Sequence, residues 1–451
     1  MFIRFVVNNF LSFNEEREFT MLAGSFKAHK HHVYNAGKVD VLKASAIYGA
    51  NGAGKSNLIK AIEFLQDTVN EGGLKQSVND KKFKLDKSNE TKPISFEIEF
   101  SVEQTIFAFG ASFDDDVVVE EWLYESGVTK EDKLIYERRG TKSGKPEIKM
   151  ASKFRRTQKQ KLLIELLEEN LLKSNELLLG KTAELKIDIL SSVKSKIVKD
   201  IIIIHPGSKF HSLVPPLTQS SQFKTFANEL LKSFDTGVVE LGVETIDFEK
   251  YFGDDDEELK KELIKHVDSG KSVTIDTAAG GVIVTKEDGK YIVKKVVAHH
   301  LNSDEIKVVF ELSEESDGTQ RLLDFIPAFH GMLDHGMTFI IDEIDQSLHP
   351  TLLKALVRKV MADETTKGQL IFTTHESNLL DLDIFRQDEI WFVEKDRKVG
   401  GSQMYSLSDF KPRYDLDIRK GYLKGRFGAI PFLANLEDLN WETADAEETR
   451  L

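Results

Sequence analysis

Gly49-Ala50-Asn51-Gly52-Ala53-Gly54-Lys55-Ser56 is the stretch that decides the fold. It satisfies G-x-x-x-x-G-K-[ST] at every fixed position, and each fixed residue has a physical task. Glycines let backbone N–H groups curl around phosphate oxygens. Lys55 reaches the β- and γ-phosphates, and Ser56 offers its hydroxyl to Mg²⁺. Gly49, Asn51, Gly52, Gly54 and Asn57 complete the expected nucleotide contacts. The flanks agree. VLKASAIYG before the loop is the apolar run of a strand. After it Leu58, Ile59, Ile62, Leu65 and Val69 recur at helical spacing, so a helix points its positive end at the same phosphates. An accidental glycine turn would need neither flank.

A second element stands near the other end of the chain. Thr338-Phe339-Ile340-Ile341-Asp342-Glu343 is an apolar strand ending in two acids. Asp342 can hold the magnesium through water, and Glu343 can polarise an attacking water. Read alone, this is also what a buried strand looks like where it surfaces. With a phosphate loop in the same chain, the catalytic reading gains. The separation of Lys55 from Asp342 is too long for a compact nucleotide domain, so a sizeable segment is expected between two lobes.

Two further elements fall in the same region. Leu312 to Arg321 reads LSEESDGTQR and opens a helix; Ser316 and Gly318 can offer a hydroxyl and a close backbone N–H to phosphate, or simply cap that helix. The strand QLIFTT runs into His375, where a histidine can hydrogen-bond a γ-phosphate or be an ordinary surface residue.

Composition narrows the class. The chain has 451 residues, no cysteine and nine prolines, and carries 61 basic against 75 acidic residues for a net charge of −14. Disulfides, thiol nucleophiles and thiolate zinc sites are excluded. A protein basic all over its surface is disfavoured, although a local basic groove is not. The polar pair in MFIRFVVNNF interrupts what a signal peptide needs as its apolar core, and no run is long enough to cross a bilayer. A cytoplasmic location without a membrane partner is expected.

The expected architecture is α/β: two lobes of a P-loop head, interrupted by a mostly helical insertion with a small β element. Lobe I spans 1–150, the insertion 151–300, lobe II 301–435 and an acidic tail 436–451. Phe96, Ile98 and Phe100 alternate on one strand face. KFRRTQKQKLLIELLEENLLKSNELLLG reads as one helix over 152–180, about 45 Å long. Helices continue to about 233, and another, with an acidic start, covers 254–270. Three short strands follow, turning at AAGG and EDGK. EIKVVFEL is then expected to open the alternating strands and helices of lobe II.

Taken together, GxxxxGKS, ESDGTQR, FIIDEID-x-LHP and TTHE resemble the ABC-type ATPases of the SMC and RecF branch. NNFLSFNEE, RQDEIWFVEKD and KGYLKGRFGAIPFL look closer still to ATPases of bacterial anti-phage systems: the PARIS, Septu and RloA types and the N-terminal ATPase of overcoming-lysogenization-defect nucleases. The likeness covers about 1–140 and 300–433. It implies ATP and Mg²⁺ held in a head-to-head homodimer, which can pack into a larger ring or cage. Lys55 and Ser56 of one chain would share ATP with Ser316 and Gly318 of another, Asp345 would lie at the seam, and His375 would sense the γ-phosphate. The signature departs from the family at Asp317, where a glycine is usual; an acid there must point away from phosphate. Gln104 is the candidate for the loop glutamine that usually joins the magnesium.

The basic run Lys153-Phe154-Arg155-Arg156-Thr157-Gln158-Lys159-Gln160-Lys161 can contact nucleic acid or be a solvated helix face. His29, His31 and His32 lack the neighbouring acids or cysteines that would complete a metal site. Few residues follow the motifs, so no attached Toprim nuclease is expected. The expected function is an ATP-driven sensor or scaffold controlling a separate effector, a nuclease or Toprim protein. A DNA-repair ATPase of the RecF type is the alternative, and a transporter subunit fits least.

Overall fold

A computed structural model describes residues 1–430 except 128–130, 142–143, 209–212, 254–256, 278–279, 335 and 414–415. The acidic tail, the AAGG turn in part and the first acids of the 254–270 segment therefore lie outside the described residues.

The short apolar runs of the sequence assemble into one central sheet. Its order is Ile201–Ile204, Thr338–Ile341, Gln369–Thr374, Ala44–Gly49, Ile390–Lys395 and Ser402–Ser406. The first five strands are parallel and the last is antiparallel. Runs such as TFII and QLIFTT are buried along their whole length, as strands covered on both faces must be. Alternate residues serve opposite cores. Ile340 and Ile371 join Leu58, Ile62 and Ile197 from helices Lys55–Glu71 and Asp188–Lys199. Phe339, Ile341 and Phe372 join Leu322, Ile326, Leu353 and Val357 from helices Asp317–Asp334 and Pro350–Ala362. This is an α/β fold, a largely parallel central sheet covered on both faces by helices.

A seven-stranded antiparallel sheet lies beside it, in the order Pro146–Met150, Lys133–Gly140, Val117–Glu125, Thr105–Asp114, Ile94–Val102, Phe2–Asn8, Arg17–Thr20. Phe96, Ile98 and Phe100 face inward, as their alternation predicts. Phe64 of the phosphate-loop helix packs on Phe10, Phe96 and Phe113, which fixes that helix against this sheet. A third sheet contains Glu240–Asp247, Lys290–Leu301, Gly280–Glu287 and Val273–Thr277, with its own core of Phe248, Leu263, Val267, Val284 and Val293.

Three expectations are corrected. The helix expected over 152–180 breaks: an α-helix at Gln158–Leu166 passes into a π-turn at Leu167–Leu171, then into a tight turn at 174–175 and a 3₁₀ turn at Leu178–Lys181. Tertiary contacts outweigh helix propensity there, because the buried Glu121 carboxylate accepts from Leu178 N at 2.6 Å, Leu179 N at 2.9 Å and the Tyr136 hydroxyl at 2.7 Å. Residues 172–181 thus belong to the core of the first lobe rather than to a separate insertion. Second, Ile201–Ile204, also assigned to the insertion, is a strand of the central sheet. Third, Lys307–Glu311 pairs antiparallel with Lys290–Leu301 and so extends the third sheet, not lobe II. Glu240–Asp247, between the expected helices, is a further strand.

The Glu121 junction gives a direct test. Glu121→Leu would leave two backbone donors and a tyrosine hydroxyl buried without acceptors, at about 1–3 kcal/mol each. A loss of about 3 kcal/mol or more is expected in denaturant unfolding. An unchanged midpoint would show that residues 172–181 are not held there.

Among the described residues, no helix is long and apolar enough to cross a membrane.

Candidate nucleotide site

The carboxyl ends of the parallel strands are where such sheets bind ligands, and the motif residues gather there. Gly49 ends its strand against a neighbour; a Cβ on it would stand 2.3 Å from the Val393 carbonyl oxygen. Gly54 has φ 116 at the start of helix Lys55–Glu71, and a Cβ there would meet Ser402 Oγ at 2.1 Å. Ser402 Oγ donates to Ala53 O at 2.6 Å and bonds Ser12 Oγ at 2.7 Å, so the loop is fastened from behind. Gly52, with φ 72, has nothing within 4 Å of where a Cβ would be, and it and Asn51 are exposed on the open side. Asn57, on the first turn of the same helix, donates its amide to Ser12 Oγ at 2.8 Å.

Lys55 is buried, and its ammonium has three partners for three donors. Nζ donates to Gly49 O at 2.8 Å and Ala50 O at 3.3 Å, and lies 3.0 Å from His375 Nε2. Burial lowers the Lys55 pKa, opposed by Asp342, Glu343 and Asp345. Burial and then the Lys55 charge lower that of His375, which leaves its ring neutral and able to accept. The His375 backbone N–H donates to the Asp345 carboxylate, at 3.2 Å to Oδ1. Thr373, one strand over from the carboxylates, binds both: its hydroxyl donates to Asp342 Oδ1 at 2.5 Å and accepts from Glu343 N at 2.8 Å. Glu343 sits at φ 51, a left-handed backbone rare for a residue with a long side chain. Strain of this kind persists where surroundings enforce it, and Thr373 does so here. The structure thus joins Lys55, His375, Asp345, Thr373, Asp342 and Glu343, residues up to 320 positions apart.

The signature lies beside this group. Ser316 Oγ accepts from Thr319 N at 3.2 Å and so caps helix Asp317–Asp334. Ser316 and Asp317 are exposed, and Gly318 packs so close to Ser347 that a Cβ would be 3.0 Å from its carbonyl oxygen. Among the described residues, no hydrogen bond joins Ser316 or Gly318 to the phosphate loop of the same chain. Gln104 falls in the turn between strands Ile94–Val102 and Thr105–Asp114, with its backbone carbonyl against Gly37; that hairpin is no part of the group above.

His205 was missed by the sequence reading. It follows Ile201–Ile204 directly, beside the strand that ends at Asp342, and Asp342 N donates to Ile204 O at 2.9 Å. His205 Nε2 lies 2.8 Å from Glu63 Oε1 on the phosphate-loop helix. Its carbonyl accepts from Arg321 of the signature helix at 3.3 Å, and the Arg321 guanidinium lies over Phe325. The signal available was the apolar run IIII ending at a polar residue, which is how a buried parallel strand delivers a side chain to a site.

The donor set suits a magnesium nucleotide: a glycine cradle with an open side, a buried ammonium, a hydroxyl at Ser56 on the first helical turn and a strand-end carboxylate at Asp342.

A family model described as "AAA domain, putative AbiEii toxin, Type IV TA system" matches residues 44–177 and 192–381. No curated protein matches the chain. Among solved structures, an SMC head bound to the C-winged helix domain of ScpA is 13% identical, with TM-score 0.45 over 91% of this chain and 99% of that one. The SMC head domain from Thermotoga maritima is 13% identical, with TM-score 0.39 over 90% and 98%. An SMC head with an extended coiled coil, bound to the C-terminal domain of ScpA from Pyrococcus furiosus, is 13% identical, with TM-score 0.42 over 94% and 99%. The family match spans more than two thirds of the chain, strand and carboxylate elements included, and the chain belongs to this AAA-domain family.

Proposed function

We propose that this chain is a magnesium-dependent ATPase whose site is completed by a second copy, and that it acts as sensor or scaffold for a separate effector in anti-phage defence. The observation that carries the ATPase reading is the connected group from Lys55 through His375 and Asp345, beside Thr373 with Asp342 and Glu343. Ser56 and Asp342 are the residues that would hold Mg²⁺, which supplies neutralisation of phosphate charge when bound. The loop N–H groups and Lys55 grip the β- and γ-phosphates. Glu343 takes the proton of the attacking water. His375, released by Lys55, is placed to report the γ-phosphate, and His205 ties the phosphate-loop helix to the signature helix.

The effector reading is supported by the surface at 153–171. Lys153, Arg155, Arg156, Lys159 and Lys161 are exposed there, beside Leu162, Leu166 and Leu171 at 51%, 39% and 46% exposure. Basic groups around exposed leucines suit an acidic, partly apolar protein surface. The same charges favour one alternative, a nucleic-acid ligand.

The test is charge reversal of Arg155, Arg156, Lys159 and Lys161 to Glu in a chain purified with the products of its neighbouring genes. ATP turnover is expected to stay within about twofold, because none of these residues touches the site, while the co-eluting nuclease or Toprim protein is lost. Lost ATPase with the partner retained would reject this division of labour. Loss of salt-dependent DNA binding instead would favour the repair reading.

A further inference from the structure

His29, His31 and His32 stand in the connection that leads into strand Val33–Asn35, and the sequence offers them no nearby acid. The fold does. Glu389, fully buried and 357 residues away in sequence, brings its carboxylate oxygens to 3.0 and 3.1 Å from His32 Nδ1. His29 Nε2 lies 2.8 Å from the Leu382 carbonyl oxygen, to which it donates. The Lys30–His32 stretch is a 3₁₀ turn entered through His29 at φ 49, which throws all three rings to one place. His29 stacks on His32 with centroids 4.8 Å apart, and His31 meets His32 edge-on at 4.4 Å. One ring nitrogen from each of the three lies within 4.8 Å of the others.

The Leu382 carbonyl can only accept, so His29 donates through Nε2 and keeps the Nδ1 lone pair. With Glu389 as a carboxylate, His32 likewise donates through Nδ1 and keeps the Nε2 lone pair. A carboxylate behind one histidine and a backbone carbonyl behind another are the outer contacts that orient metal-binding imidazoles. His32 is buried, whereas His29 and His31 are partly open, so the cluster is anchored on one side and reachable on the other.

We infer that His29, His31 and His32 hold a divalent transition-metal ion, zinc by preference, with Glu389 positioning His32. Three neutral nitrogens and a water suit tetrahedral Zn²⁺. Bonds of 2.0–2.1 Å put ligand nitrogens about 3.3 Å apart, so side chains must close inward by roughly an ångström or more, a movement open to the half-exposed His31.

The position argues for a structural role. Ser45 Oγ donates to the Glu389 carbonyl at 3.2 Å, and Glu389 immediately precedes strand Ile390–Lys395. The site therefore lies at the amino ends of parallel strands whose carboxyl ends carry the phosphate loop. Arg386 donates to Gly24 O at 2.9 Å and Ala28 O at 3.2 Å, and Gly24 N donates to Asp388 Oδ2 at 2.7 Å. A metal there adds a clasp between residues 24–32 and 382–389, joining the two halves of the head.

The experiment uses the full chain, freed of any affinity tag, stripped with chelator and titrated with Zn²⁺ and Co²⁺. About one equivalent of zinc should bind, cobalt should develop the visible absorption of a tetrahedral site, and zinc should raise the melting temperature by a few degrees. His31→Asn should melt like the stripped wild type, lose zinc binding at least tenfold and keep its ATP turnover, because His31 is remote from the nucleotide site. A wild-type chain that is folded yet takes up no zinc, gives a featureless cobalt spectrum and melts unchanged would overturn the inference. So would zinc binding by His31→Asn as tight as that of the wild type.

Discussion

Glu343→Gln is expected to bind ATP as tightly as the wild type and to hydrolyse it about 10²- to 10⁴-fold more slowly, the range that a positioned general base supplies. Size and shape are kept, so the loop and Lys55 still grip the phosphates. The amide cannot accept the proton that the attacking water must lose. The strained backbone at Glu343 sharpens the test. Glu343→Gly should also be inactive, yet more stable than the wild type by up to about 1 kcal/mol, because glycine occupies φ 51 without penalty. A group retained for chemistry at a cost in stability is what an active site predicts; a structural residue would lose stability on replacement. Lys55→Ala should fail earlier, at binding, since it removes the one ammonium held in the loop. Turnover and fluorescent-nucleotide binding, measured side by side, separate the two steps. Wild-type turnover in Glu343→Gln would reject Glu343 as the base.

The parts of this site that could be read from the sequence are those whose chemistry is local. GANGAGKS carries its own geometry, and TFIIDE shows a buried strand surfacing at two acids. His375 was legible for the same reason, as the residue that ends QLIFTT. His205 was not, because its meaning lies in which strand neighbours it. Ile201–Ile204 is four apolar residues, too short for periodicity to separate strand from helix. Only the parallel pairing with Thr338–Ile341 sets His205 beside Asp342. The break in the helix over 152–180 was hidden in the same way. Leucine, lysine and glutamate favour helix, and the force that overrides them comes from Glu121, far away in sequence. Glu389 behind His32 is the extreme case: no window of sequence contains both.

Mixing Lys55→Ala chains with Ser316→Arg chains is expected to restore about a quarter to a half of the activity that each variant lacks alone. The reasoning starts inside one chain. Ser316 and Asp317 are exposed at a helix start, and among the described residues no hydrogen bond ties that helix start to the chain's own phosphate loop. An exposed helix N-terminus is suited to phosphate supplied from outside. In a twofold dimer each site takes its loop from one copy and its signature from the other. A mixed dimer then has one site carrying both lesions and one carrying neither. Nucleotide would favour such a dimer through Lys55. Lys55 Nζ is shared among Gly49 O, Ala50 O and His375 Nε2, and phosphate oxygens compete for the same donors. His375 is bound through its backbone to Asp345, and Asp345 shares its loop with Ser347, whose carbonyl packs on Gly318. Freeing His375 therefore acts on the loop that supports the signature. ATP should accordingly raise the dimer fraction of Glu343→Gln in light scattering, and Ser316→Arg should abolish that rise while leaving nucleotide binding by the monomer intact. Full turnover by either single variant as a strict monomer would sink the composite site.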